Sequence, residues 1–175
     1  DDELAATTWQ QWVRALLLAD PPAAVRAIGG QRDPNQVRQA LTHLRARLRQ
    51  LVTNADWAAA IQLATTSRAE LADRLSDETR EELTAALQTG RAGQAAADQR
   101  KVAALMERLS GTEDAARAAA MTELKAMGAR AVPALLANLR KAVASDPPRP
   151  QRERMVLEVL RQLAPELTGY DPSAS

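Results

Sequence analysis

TEDAARAAAMTELKAMGARAVPALLANLRKAVA, residues 112–144, holds a helix start, a stop, a tight turn and a second start in one stretch. Thr112 is placed to cap the first helix, and Glu113 and Asp114 follow in its first turn, where free N–H groups and the positive end of the helix dipole favour carboxylates. Met121, Leu124 and Met127 then recur at three-residue steps beside Ala120, one apolar stripe on a polar, alanine-rich helix. Gly128 ends it, as a residue free to adopt positive φ. After a minimal turn at Ala129 and Arg130 the stripe resumes at Val132, Leu135, Leu136, Leu139 and Val143, with Pro133 in the first turn, where its missing N–H costs little. Two helices joined so tightly must run antiparallel.

These residues resemble a known family. Arg117 with Ala119 and Ala120, then Leu124, Met127 and Gly128, then AVPALL at 131–136 and Leu139 are similar to the HEAT repeat, in the bacterial HEAT-like form first described in phycobilisome lyases. That pattern has a charged residue and small residues on the first helix, "LG" at its end and "AVPAL" opening the second; Met127 stands here where leucine is usual. The resemblance implies an all-α chain, a right-handed-type stack of antiparallel helical hairpins forming a HEAT-like α-solenoid, used as a binding scaffold. It implies almost nothing about activity.

A repeat requires a second copy. Ala104, Leu105, Met106 and Leu109 align with Ala134, Leu135, Leu136 and Leu139 at an offset of 30, and Met121, Leu124 and Met127 align with Leu157, Leu160 and Leu163 at an offset of 36. The difference falls in residues 145–150, SDPPRP, which read as a loop. Residues 1–90 therefore read as a less regular helical region and residues 91–175 as HEAT-like hairpins, divided at Thr89-Gly90-Arg91-Ala92-Gly93 and forming one continuous array.

The composition agrees with helix. Aromatics are 2% and Phe is absent, so the core must be built from Leu, Ala, Val and Met, strong helix formers that let helices approach closely. Lys and Arg number 23 against 22 Asp and Glu, a formal net charge of +1, so no global field selects nucleic acid or a membrane surface. Cys is absent, which excludes disulfides and thiol chemistry. No run approaches the roughly 20 apolar residues of a membrane span, and the chain reads as soluble. It begins at Asp1, which suits a processed or excised product; removal of an export signal and a cytoplasmic location both remain open.

In the first region Leu4, Trp9, Trp12, Val13, Leu16 and Leu17 follow the helical period, so Trp9 and Trp12 share a face that packs on the next helix. Asp20-Pro21 and Asp33-Pro34 are paired cap-and-start signals. The second opens a helix over 34–52 with a seam at Val37, Leu41, Leu44, Leu48 and Leu51. Asn54 is placed to cap the next helix, Thr65-Thr66-Ser67 to break it, Ser67-Arg68-Ala69-Glu70 to open a short one by a capping box, and Ser76 to cap a helix over 77–88. The tail Thr168-Gly169-Tyr170-Asp171-Pro172 resembles a phrase that precedes a two-tryptophan helix in bacterial HEAT-like proteins, which implies a segment of a longer array.

Charge supplies the one candidate site. Residues 34–55 contain no Asp or Glu, while Arg38, Arg45 and Arg49 fall near one line at helical spacing, able to meet an acidic partner or a row of phosphates. The alternative is a surface balanced by carboxylates of residues 73–82; Arg26 and Arg32 on the same face would instead favour phosphates. Asp77, Glu78, Glu81 and Glu82 resemble a carboxylate cluster but suit a helix N-terminus better. His43 is the only histidine, and with no Cys, no glycine-rich phosphate loop and no nucleophile motif the chain reads as non-enzymatic, without cofactor or metal.

The expected function is therefore a non-catalytic protein–protein interaction scaffold with a protein or peptide partner. The alternative is a nucleic-acid-binding HEAT-like module using Arg38, Arg45 and Arg49, with Trp57 beside them, as HEAT-like alkylpurine DNA glycosylases handle DNA. A pigment or prosthetic-group lyase is suggested only by the setting in which the family was first recognised. Reversal of Arg45 and Arg49 to Glu is expected to weaken partner binding and leave the helix folded.

Overall fold

The computed structural model describes residues 2–144 and 150–163. All regular structure among them is helical: α1 (Asp2–Ala19), α2 (Pro21–Gly30), α3 (Pro34–Thr53), α4 (Trp57–Glu70), a 3-10 turn (Ala72–Arg74), α5 (Asp77–Leu109), α6 (Asp114–Met127), a second 3-10 turn (Gly128–Ala131), α7 (Val132–Val143) and α8 (Pro150–Leu163). None of these helices is long and apolar enough to cross a membrane. The connection at 145–149 and the 168–172 phrase lie outside the described residues.

The start signals work largely as read. Asp20 accepts from the Ala23 N–H at 3.0 Å, Asp33 from the Asn35 N–H at 2.9 Å and Ser76 from the Thr79 N–H at 3.3 Å, each satisfying an N–H that the first turn leaves without a helical acceptor. Three signals need correction. Asn54 ends α3 rather than opening α4, whose cap is Asp56, accepting from Ala59. Ser67 opens no helix: Ala60, Leu63, Ala64 and Ser67 form the buried face of an unbroken α4, so the helical period outweighs the local capping box. Thr112 is displaced by Glu113, which occupies the cap position of α6 without a side-chain bond.

Two compact units divide the chain, Asp1–Gln94 and Ala95–Ser175. In the first, Val13 and Leu17 of α1, Val25 and Ile28 of α2, Leu44, Leu48 and Leu51 of α3, Leu63 of α4 and Leu83 of α5 share one core. Trp9 packs against it. Trp12 instead is half exposed, because it lies about 100° from Val13 on α1 and the core takes only the Val13 and Leu17 side.

In the second unit Val102, Leu105 and Met106 of α5, Ala120 and Leu124 of α6, Leu135 of α7 and Val156, Val159 and Leu160 of α8 form a separate core. Gly128 takes φ 55° between α6 and the turn, the left-handed geometry that favours glycine, and Pro133 sits in the first turn of α7. The buried face of α7 is Ala134, Leu135, Asn138 and Ala142, so Leu136 and Val143, expected in the stripe, are 40% and 58% exposed. Asn138 is satisfied where it lies: it donates to the Ala134 carbonyl and accepts from Arg152 of α8, which also pairs with Glu107 of α5 at 2.9 Å.

Helix α5 runs unbroken through the glycines expected to interrupt it. Gly90 is buried, and a Cβ there would stand 3.0 Å from Ile61 Cγ1; a Cβ on Gly93 would stand 2.5 Å from the Trp57 ring. Both glycines are sites of close approach between α4 and α5 and not sites of chain reversal. Gly93→Ala should therefore cost about 1–2 kcal/mol despite its better helix propensity, because overpacking outweighs that gain. Gly30→Ala, where a Cβ meets nothing within 4 Å, should gain about 0.5 kcal/mol. Urea unfolding of both variants checks the opposite signs.

Candidate binding surface on helix α3

Helix α3 buries Val37, Ala40, Leu44, Leu48 and Leu51 on one face. At about 100° per residue, Arg38, Arg45 and Arg49 fall along one flank of that face and His43 and Arg47 along the other. With no carboxylate in the helix, each flank depends on its neighbours for counter-charge.

The first turns of α5 supply it to Arg45 and Arg49. Arg45 lays its guanidinium fork on Glu82, Nε donating to Oε2 at 2.5 Å and Nη2 to Oε1 at 2.6 Å, and Nη2 also donates to Glu78 Oε1 at 2.8 Å. Arg49 Nη2 donates to Glu82 Oε1 at 2.7 Å. The Arg45 and Glu82 side chains are 24% and 31% exposed, so this charge-assisted pair is only partly screened by water. Hydrogen bonds from Arg45 first, then from Arg49, hold the Glu82 carboxyl down at about 2 against the opposing effect of burial. Hydrogen bonds to Glu82 and Glu78 raise Arg45 in turn. Glu78 and Glu82, read as helix N-terminal charge, are thus the counter-ions of α3.

Arg38 has a different environment. Among the described residues no carboxylate pairs with Arg38 or Arg32, and both line a cleft of about 410 Å³ with Arg45 and Arg74. Val37 and Leu41 give the cleft apolar surface, Thr42, Ser76 and Thr79 contribute hydroxyls, and no acidic residue lines it. Arg74 is fixed by donating from Nη1 to the Gln31 carbonyl. Guanidinium groups around an apolar floor can grip a carboxylate or phosphate while sheltering the side chain beside it.

Of the three arginines singled out by spacing, two are engaged within the chain and Arg38 is open. Arg26 is absent from the cleft lining, whereas Arg32 joins it. Arg74 was not legible as a site residue, since it lies in the 3-10 turn after α4, far from α3 in sequence. Trp57 is placed by the packing of its ring on Gly93. No protein-family description, curated protein or solved structure matches the chain.

The pairing changes what charge reversal reports. Glu at positions 45 and 49 would face Glu78 and Glu82, so the double variant acts on the α3 to α5 packing as well as on binding. Glu82 has a depressed folded-state pKa, so its stabilising contribution is complete above 4.5 and is lost as pH falls from 4.5 towards about 2. After discounting for partial exposure, that contribution is about 1 kcal/mol. Urea midpoints at pH 7 and pH 2.5 should fall less in Glu82→Gln than in the parent chain; equal falls would mean the fork adds no pH-dependent stability.

Proposed function

We propose that the chain is a non-catalytic protein-interaction scaffold built on HEAT-like helical hairpins, and that it engages an acidic segment of a protein partner. The observation that carries this reading is the cleft in which Arg32, Arg38 and Arg74 stand around Val37 and Leu41 with no carboxylate among the lining residues. Such a surface favours an extended or helical segment carrying Asp or Glu beside apolar side chains. The reading involves no cofactor.

The repeat reading rests on burial as well as on sequence. Ala120 and Leu124 of α6 are buried with Met121 and Met127 half-buried; 36 positions on, Val156 and Leu160 of α8 are buried with Leu157 and Leu163 half-buried. The Gly128 turn and the Pro133 start support it further, as does the packing of α7 along α8.

The alternative reading, a nucleic-acid-binding module using Arg38, Arg45 and Arg49, is weakened by the bonds that Arg45 and Arg49 already make. A row of phosphates would have to displace Glu78 and Glu82 to reach them.

The test is capture from extract of the native organism by the immobilised chain, with and without nuclease, beside Arg32→Glu/Arg38→Glu. Those two side chains have no ion-pair partner among the described residues, so the double variant should keep its urea midpoint. A protein captured by the parent chain, resistant to nuclease and reduced at least about tenfold by the double variant is the expected result. Capture abolished by nuclease would replace this reading with the nucleic-acid one.

A further inference from the structure

The other flank of α3 carries a second basic cleft, and nothing in its lining supplies counter-charge. It has a volume of about 440 Å³ and brings Arg14, Leu17 and Leu18 of α1 to His43, Arg47 and Gln50 of α3. Where α5 meets the first flank with carboxylates, α1 meets this one with another arginine. The charged or titratable groups lining the cleft from the two helices are Arg14 on α1 and His43 and Arg47 on α3.

Two observations show that the cleft is electrostatically unresolved. Arg47 donates from Nη1 to Gln50 Oε1 at 2.9 Å, yet its Nε is buried and has no acceptor among the described residues. A buried guanidinium N–H without an acceptor is disfavoured. In addition, burial first and then the Arg14 charge hold His43 below its ordinary 6.5. Arg14 from one helix and Arg47 from the other therefore bring like charge to one cleft whose lining holds no carboxylate.

We propose that the cleft formed by Arg14, His43 and Arg47 is a binding site for a phosphate or phosphomonoester group. A phosphomonoester presents three terminal oxygens and inorganic phosphate four, enough for two guanidinium groups and an imidazole together, whereas a carboxylate presents two. Its charge of about −1.5 to −2 near neutral pH matches the two arginines. Leu18 is 64% exposed at the edge of the same cleft, beside buried Leu17, and gives the organic part of an ester an apolar surface to lie on. This site shares no lining residue with the Arg32, Arg38 and Arg74 cleft and stands whether or not that cleft takes an acidic protein segment.

His43 is the only histidine in the chain, so a single imidazole resonance reports on the site. Its titration is followed by NMR in chloride and in about 20 mM inorganic phosphate at equal ionic strength, with phenyl phosphate as a second probe. The expected result is a midpoint below 6.5 in chloride that rises by about half a pH unit or more in phosphate. Phenyl phosphate should bind about threefold to tenfold tighter than inorganic phosphate if the leucines contribute. The phosphate-dependent rise should disappear in Arg14→Gln, whose side chain is exposed, and in Arg47→Gln, and persist in Arg32→Glu/Arg38→Glu. A midpoint indifferent to phosphate, or a rise that survives Arg14→Gln, would overturn the assignment.

Discussion

Close approach between helices is the constraint on which the first unit depends. The chain has no Phe and few other aromatics, so its cores are filled by Leu, Ala, Val and Met. Small side chains fill space only if the helices bearing them come near one another. Gly90 and Gly93 are where that requirement is sharpest, because Ile61 and the Trp57 ring occupy the space that a Cβ would need. Helix α5 therefore keeps two helix-weakening residues in its interior without a break, the cost in propensity being offset by contact with α4.

Electrostatics follow from the same packing. Helix α3 contains only basic ionisable side chains, and whether each is neutralised depends on the element beside it. The start of α5 brings Glu78 and Glu82 to Arg45 and Arg49, which turns two candidate binding residues into ties between helices. Near the start of α3 the neighbour is the 3-10 turn with Arg74, and on the opposite flank it is α1 with Arg14; at both places positive charge meets positive charge. The two clefts result from where the chain lacks acid residues. In the second unit several arginines do find acids, Arg108 on Glu123, Arg130 on Asp98 and Arg152 on Glu107.

Reading helix starts from the sequence succeeded where a side chain acts on its own backbone within three residues. Asp20, Asp33 and Ser76 cap the helices they were expected to cap, and Gly128 adopts the positive φ its position calls for. It failed where a distant contact decides. Ser67 looked like a cap because a capping box is local, but its position on the buried face of α4 keeps the helix going. Gly90 and Gly93 looked like a break between two helices because two glycines weaken a helix, and the contacts that retain them in a continuous α5, with Ile61 and Trp57, lie about thirty residues away.

The sequence by itself determined that the described residues are helical, where most helices begin, and that α3 carries basic residues and no carboxylate. These properties depend on backbone hydrogen bonding and on the helical period, which nearby residues specify. Only the tertiary structure decided which arginines are neutralised and which are open, because a guanidinium's counter-ion is set by the helix packed against it. Arg45 and Arg38 are both arginines on one flank of one helix, and what separates them is that Glu82 reaches the first and no carboxylate among the described residues reaches the second.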